Sequence, residues 1–285
     1  MKKIIWIASY PKSGNTWVRA IISSLLYSAD GNFNFNLLKL IEVFEKKNRF
    51  DFVKDLNKKN YETLDKIENI SKLWIEVQKR IVFDKGINPI YNIFKTHSAN
   101  LAVNNNNFTD KSLTAGVIYI VRDPREILVS YSNHMGKKID DAIDAILDQK
   151  RLLSPEKNLA VALMSAWHIH YESWKSLDVP KLLIKYEELT NNPKKEIKKI
   201  SKFLGQILSI DESTLDKKNF NVFNTTQIEK FRNHEKNKGF DEASKNSLFF
   251  GNAKIDSWKE KLSLEQIKKI EYVFNKTMLE LGYLG

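Results

Sequence analysis

The sequence contains no cysteine. That excludes disulfides, thiolate metal sites and a cysteine nucleophile, and it fits a reducing compartment. No stretch rich in glycine or serine reads as a linker, and no internal repeat is visible. No run approaches the roughly 18 apolar residues of a membrane span. Met1-Lys-Lys followed by Ile4 to Ala8 has the outline of a signal peptide, but its apolar stretch is too short and Lys12 interrupts it. Histidine is scarce, five in 285 residues, and no His/Asp/Glu cluster has metal-ligand spacing. These absences lead to the expectation of one soluble, cytoplasmic domain with no metal and no membrane partner.

Charge is abundant and one-sided. Lys and Arg number 46 against 35 Asp and Glu, a formal charge of +11. Such an excess suits a polyanionic ligand, nucleic acid or an acidic membrane. Many of the lysines, however, lie in Lys/Asn-rich runs such as Lys46-Lys47-Asn48, Lys58-Lys59-Asn60 and Lys236-Asn237-Lys238. These read as solvated faces rather than a nucleic-acid stripe, so no nucleic-acid partner is expected. With 42% hydrophobic and 11% aromatic residues the chain can build a substantial core.

The pattern begins with a short Ile-rich run, Lys3 to Ser9, that reads as a buried strand. Pro11 and Gly14 break it, and from Thr16 the spacing turns helical: Trp17, Ile21 and Leu25, with Val18, Ile22 and Leu26 one position on. Further strands are expected at Asn88–Phe94, Val117–Val121 and Leu182–Tyr186. Helices are expected after Pro124, over Asp140–Leu153 and Glu156–Lys175, from Pro193 to a stop at Gly205, and from Ser263 to Leu281. Asp123 and Pro124 suit an N-cap and a first helical position, with Ile127, Leu128 and Tyr131 turned inward. Leu37, Leu38, Ile41 and Phe44 also have helical spacing, as do Ile67, Ile70, Leu73 and Trp74. Asn104 to Asn107 is a loop, and residues 206–262 read as irregular and polar. Strands alternating with helices imply an α/β fold, a central parallel sheet flanked by helices. The expectation is a single domain, 1–285, with lids and loops at about 30–88 and 206–250.

Strand ends in such a sheet line the ligand crevice. The loop Tyr10-Pro-Lys-Ser-Gly-Asn-Thr-Trp17 joins strand to helix, aiming backbone N–H groups and a helix N-terminus at one point, which is an anion site. Lys12 adds a full charge, and Ser13, Asn15 and Thr16 add donors. An ordinary turn with a stray lysine is the plainer reading. The loop is not the Walker A pattern, because Lys12 precedes Gly14 instead of following it. Lys95-Thr96-His97 ends another strand. A neutral His97 beside a lysine could take a proton from a hydroxyl, although a lone loop histidine is commonplace. Arg122 ends a third strand, with Ser130 on the helix that follows. Tyr186 and Trp17 offer flat rings for stacking or simply pack in the core.

These pieces together resemble sulfotransferases that use 3′-phosphoadenosine 5′-phosphosulfate (PAPS). Tyr10–Trp17 resembles their 5′-phosphosulfate loop, Y-P-K-S-G-T-T-W, with Asn15 for Thr as the one departure. Phe94-Lys-Thr-His97 resembles their K-T-H segment, and Val121-Arg-Asp-Pro-Arg-Glu-Ile-Leu-Val-Ser-Tyr131 their 3′-phosphate motif, R-[ND]-P-x-[DE]-x-x-x-S. Tyr186-Glu-Glu-Leu189 resembles Y-E-D-L. The resemblance implies a P-loop-like nucleotide-binding fold. It implies transfer of a sulfuryl group from PAPS to a hydroxyl or amine of a small-molecule acceptor, releasing 3′-phosphoadenosine 5′-phosphate (PAP). By it His97 is the general base, and Lys12 and Lys95 stabilise charge at the transferring group. Ser13, Gly14, Asn15 and Thr16 hold the 5′-phosphate, Arg122 and Ser130 the 3′-phosphate, Trp17 and Tyr186 adenine, with Thr226 matched loosely. Phe33, Phe35, Phe44 and Tyr61 become candidates for the acceptor pocket.

Three departures qualify the resemblance. Ser98-Ala99 replaces the usual Leu-Pro after the histidine. Gly251-Asn252 stands where an Arg-Lys pair binds phosphate, with Lys254 or Lys245 as possible substitutes. The dimer motif is degraded to Lys259…Ser263-Leu264…Lys268, so the oligomeric state is left open. Two alternatives stand beside it: a P-loop-type ATP-dependent kinase, and a non-catalytic nucleotide- or nucleic-acid-binding protein.

Overall fold

In the computed structural model the described residues are 2–52, 61–83, 90–240, 242, 248–251 and 255–285. Asn88, Lys245, Asn252 and Lys254 therefore lie outside them, as does the side chain of Tyr61. The chain forms an α/β fold with a central parallel sheet flanked by helices. Backbone contacts divide it into two compact units: Met1–Tyr10, Ile41–Ile120 and Gln149–Leu183 make one, and Pro11–Leu40, Val121–Asp148 and Ile184–Gly285 the other.

The first unit is organised by a five-stranded sheet. Its strands are β1 (Ile4–Ser9), β2 (Glu42–Val43), β3 (Ile93–Thr96), β4 (Thr114–Val121) and β5 (Lys181–Lys185), in the order β2-β3-β1-β4-β5. β1 lies parallel to both β3 and β4, and β2 is parallel to β3. Every residue of β1 is buried, which is why it reads as an unbroken apolar run rather than an alternating one. Trp6 anchors the core. Its ring lies 4.9 Å from Phe44, 5.3 Å from Phe108 and 5.9 Å from Trp174, and its indole N–H donates to Thr114 Oγ1 at 3.2 Å. Phe44 thus belongs to the core, not to a pocket wall.

Several expected helices take other forms. Leu37 and Leu38 lie in a 3-10 helix, Phe35–Leu40, but Ile41 and Phe44 fall outside it and Glu42–Val43 pairs as β2. Helix Ile139–Leu147 stops early, and Leu152–Leu153 pairs antiparallel with Ala162–Leu163. The expected helix Glu156–Lys175 shrinks to Trp167–Lys175. The backbone N–H of Ala160 donates to Glu45 O (2.9 Å), and Leu163 O accepts from Ala99 N (2.6 Å). Those tertiary bonds outweigh the helical propensity of an Ala/Leu-rich run. Asn104 and Asn105 turn a small hairpin with positive φ.

In the second unit, α1 (Asn15–Tyr27) contacts the 3-10 helix Phe35–Leu40 and the helices Pro193–Leu208 and Asn219–Thr225. Helix Pro193–Leu208 runs through Gly205 and ends at Ser209 in the left-handed region. The stretch 206–262 is more helical than expected, with Ile228–Lys238 its longest helix. The C-terminal helix breaks at Phe274 into Leu264–Val273 and Asn275–Glu280. Ile270, Phe274 and Met278 are its inward face, and Leu264 is 66% exposed.

Candidate functional site

The second unit holds the loop and its companions. β1 delivers the chain into Pro11–Gly14, where Lys12 (φ 69°) and Gly14 (φ 95°) are both left-handed. A side chain on Gly14 would meet Tyr186 Cδ2 at 2.6 Å, so only glycine fits this approach. The first helical bonds are those of Trp17 and Val18 to Gly14 O, which leaves the N–H groups of the opening turn aimed out of the helix end. Ser13 is 1% exposed, and its hydroxyl has no hydrogen-bond partner among the described residues. The Lys12 ammonium lies 4.7 Å over the Phe249 ring.

Arg122 comes to the same loop from the end of β4. Its guanidinium donates to Lys12 O (3.1 Å) and to Glu126 Oε2 (3.4 Å), and lies 4.2 Å over the Tyr186 ring. Its Nε is buried without a partner among the described residues. Tyr186 in turn receives the edge of Trp17 at 6.2 Å. Burial raises the Tyr186 pKa, with Arg122 and Arg232 pulling it down. Asp123 caps the helix Pro124–Met135 through Arg125 N, as its position implies. Ser130 is half-buried on that helix. Thr226 is buried, and its hydroxyl donates back to Val222 O at 2.7 Å. Asn15 and Thr16 are buried in the first turn of α1. Lys12, Ser13, Gly14, Trp17, Arg122 and Tyr186 thus form one cluster; in the same unit Ser130 stands on helix Pro124–Met135 and Thr226 caps the C-terminal end of helix Asn219–Thr225.

Two further carboxylates join this cluster: Glu242, which no motif marks, and Glu126, which fills the acidic position of the Arg122 motif but has no role assigned by it. Glu242 accepts from Thr16 Oγ1 (2.9 Å) and from Arg19 (2.7 Å), so a carboxylate sits at the loop's helix end. Glu126 accepts from Trp258 N and Ser257 Oγ, both at 3.0 Å. It thereby ties Arg122 to the segment where the Arg-Lys pair is replaced. Gly251 has no side chain to offer there, and Asn252, Lys245 and Lys254 lie outside the described residues.

The first unit holds Lys95, Thr96 and His97. Lys95 and Thr96 are the last two residues of β3, with His97 directly after it. His97 is half-buried, and its Nδ1 lies 2.7 Å from Ser9 O. A carbonyl only accepts, so a neutral His97 carries its proton on Nδ1 and presents Nε2 as the basic nitrogen. Glu45, wholly buried, accepts from Thr96 Oγ1 (2.5 Å) and Ser98 Oγ (2.7 Å), holding the turn around His97. Desolvation raises the Glu45 pKa, while Thr96 and Ser98 oppose the rise. Ser98 thus has a role of its own in a turn that elsewhere carries Leu. Phe33 and Phe35 pack in an aromatic group with Phe231 in the second unit.

The sulfotransferase domain model matches residues 2–282 of this chain. Mouse sulfotransferase 1B1 is 26% identical over 284 residues, covering 96% of this chain and 82% of that protein. Cytosolic sulfotransferase 16 of Arabidopsis thaliana is 22% identical over 297 residues, covering 98% and 77%. Among solved structures, mouse sulfotransferase SULT7A1 complexed with PAP superposes with a TM-score of 0.57 at 18% identity, covering 98% of this chain and 85% of that one. A retinol dehydratase in complex with androsterone and PAP gives 0.56 at 17%, covering 96% and 80%.

Proposed function

This chain belongs to the sulfotransferase domain family, and from that premise we propose how its residues carry out PAPS-dependent sulfuryl transfer to a small-molecule acceptor. PAPS, when bound, supplies the sulfuryl group, and PAP is released. The observation that carries the reading is the Lys12–Trp17 loop with Arg122 and Tyr186 gathered against it. Its residues fit the nucleotide: the Ser13 hydroxyl and Arg122 Nε are buried donors with no partner among the described residues, a costly state unless a ligand completes it.

In this reading the N–H groups of the α1 end, Lys12, Ser13, Asn15 and Thr16 hold the 5′-phosphate. Thr16 exchanges its bond to Glu242 for one to phosphate. Arg122 and Ser130 hold the 3′-phosphate, with the guanidinium already turned across Tyr186. Trp17 and Tyr186 flank adenine, with Thr226 near them in sequence role only. His97 accepts the acceptor proton at Nε2, because Ser9 O holds the other proton at Nδ1. Lys95 and Lys12 steady the charge that builds at the transferring group. The two units act as one domain over 1–285, and the acceptor is a small molecule rather than nucleic acid. Among the described residues no helix is long and apolar enough to cross a membrane; a cytoplasmic location is part of this proposal.

The roles are tested by transfer of labelled sulfate from PAPS to a panel of phenols, 4-nitrophenol among them. His97→Ala is expected to lose about a hundredfold or more in kcat while binding PAP as the wild type does. Near-normal turnover in that variant would remove His97 as the base.

A further inference from the structure

The turn after His97 is held from one side by a single helix, Trp167–Lys175. His170 Nε2 lies 3.1 Å from His97 O, and Trp174 Nε1 donates to Ser98 O at 3.0 Å. Ser173 Oγ accepts from Asn100 N at 2.9 Å, and Ser173 O accepts from Asn100 Nδ2 at 3.3 Å. His170, Ser173 and Trp174 stand at i, i+3 and i+4, so one helical face carries the whole clasp. Across the His170 ring, Nδ1 lies 2.8 Å from the Tyr119 hydroxyl. Tyr119 belongs to β4, so the ring bridges the central sheet to the backbone of His97.

We propose that His170 is a positioning residue for the base, donating from Nε2 to His97 O while Nδ1 accepts the Tyr119 proton, so that His97 stays seated against Ser9 O. This rests on the reading of His97 as base.

The directions of these bonds follow from chemistry. His97 O can only accept, so His170 carries its proton on Nε2, and its Nδ1 lone pair then requires a donor. Tyr119 is such a donor, because burial raises its pKa well above the ordinary 10 and keeps the phenol protonated. His170 is itself wholly buried, with desolvation lowering its pKa to about 4. A buried ring that remains neutral is a fixed strut and does not compete for the acceptor proton. Loss of the strut frees the His97 carbonyl to move, and with it the 2.7 Å seat of Nδ1 on Ser9 O. A free neutral imidazole would then exchange its proton between both nitrogens, and the fraction with a basic Nε2 would fall.

The test is nitrogen NMR of histidine-labelled protein, read without any acceptor. His97 and His170 are assigned from the missing signals of His97→Asn and His170→Gln. In the wild type His170 is expected as the Nε2–H form, unchanged between pH 5 and 8, and His97 as the Nδ1–H form when neutral. In His170→Phe the His97 signals are expected to shift to a mixture of tautomers, while PAP binding by calorimetry stays as in the wild type. His170→Gln, which keeps a donor toward His97 O, is expected to restore the Nδ1–H form. A wild-type His170 that titrates near pH 6.5 or carries its proton on Nδ1 overturns the proposal, even if His170→Phe fails to fold. So does a single, unchanged His97 tautomer in a folded His170→Phe. If His97 behaves as described but His97→Ala retains turnover, the base reading fails while the clasp stands.

Discussion

Ser13 and His170 are both almost wholly inaccessible, yet they differ in what they require. The Ser13 hydroxyl has no partner among the described residues, so its burial opposes folding of the unliganded chain. Ser13→Ala is therefore expected to leave the melting temperature of the ligand-free protein unchanged or slightly raised. The same change is expected to weaken PAP binding by roughly tenfold, about 1.4 kcal/mol. Scanning calorimetry and titration calorimetry on one preparation check both halves. A fall in stability without a fall in affinity would mean that the hydroxyl serves the fold instead. His170 faces Tyr119, the edge of the Tyr10 ring at 5.7 Å and the His97 carbonyl. Its pKa of about 4 against an ordinary 6.5 means that the unfolded chain takes up its proton first as pH falls. The stability it contributes is whole above pH 6.5 and is lost as pH falls toward 4, about 3 kcal/mol at most. Glu45, with its pKa raised, acts with the opposite sign in acid. The comparison is thus between urea unfolding of wild type and His170→Gln at pH 7.5 and pH 5: the variant is expected to lose less stability on acidification. The histidine proposed as the base could be found from its place after a strand, but the residue proposed to position it could not. His170 lies far from His97 in sequence, and nothing in its own neighbours marks it.

At the scale of elements, local patterns were legible where the structure depends on neighbours in the chain. The strand, left-handed loop and helix of residues 4–27, and the Asp123–Pro124 helix start, appear as their spacing and turn chemistry imply. The expected helix over Glu156–Lys175 did not survive, because Ala160 and Leu163 pair with backbone distant in sequence. Period alone cannot register such bonds. Glu126 fills the acidic position of the Arg122 motif, but the two elements it joins could not be read from that position. Its carboxylate pairs Arg122, accepts from Trp258 N and Ser257 Oγ, and is 3% exposed. Glu126→Ala would strand a buried guanidinium and two donors, and is expected to cost about 3 kcal/mol, with PAP affinity falling too. Equilibrium urea unfolding measures the first effect; a cost below about 1 kcal/mol would mean that water replaces the carboxylate.

For the whole molecule, the +11 charge is compatible with many anions and selects none. In the proposed reading selection resides in the residues that gather at the Lys12 loop; the family match extends across residues 2–282, through both compact units. What the sequence did not disclose is how the chain compensates for Gly251-Asn252. Arg122 and Arg232 both act electrostatically on Tyr186, so cationic side chains are present around that ring without the missing pair. The central claim is that the cluster accommodates a 3′-phosphorylated adenine nucleotide. Titration calorimetry of PAP against wild type and Lys12→Ala, with ATP and ADP as competitors, tests it most directly. The account predicts PAP binding that Lys12→Ala abolishes and that ATP does not displace. Weak binding of PAP together with preferred binding of ATP would contradict it.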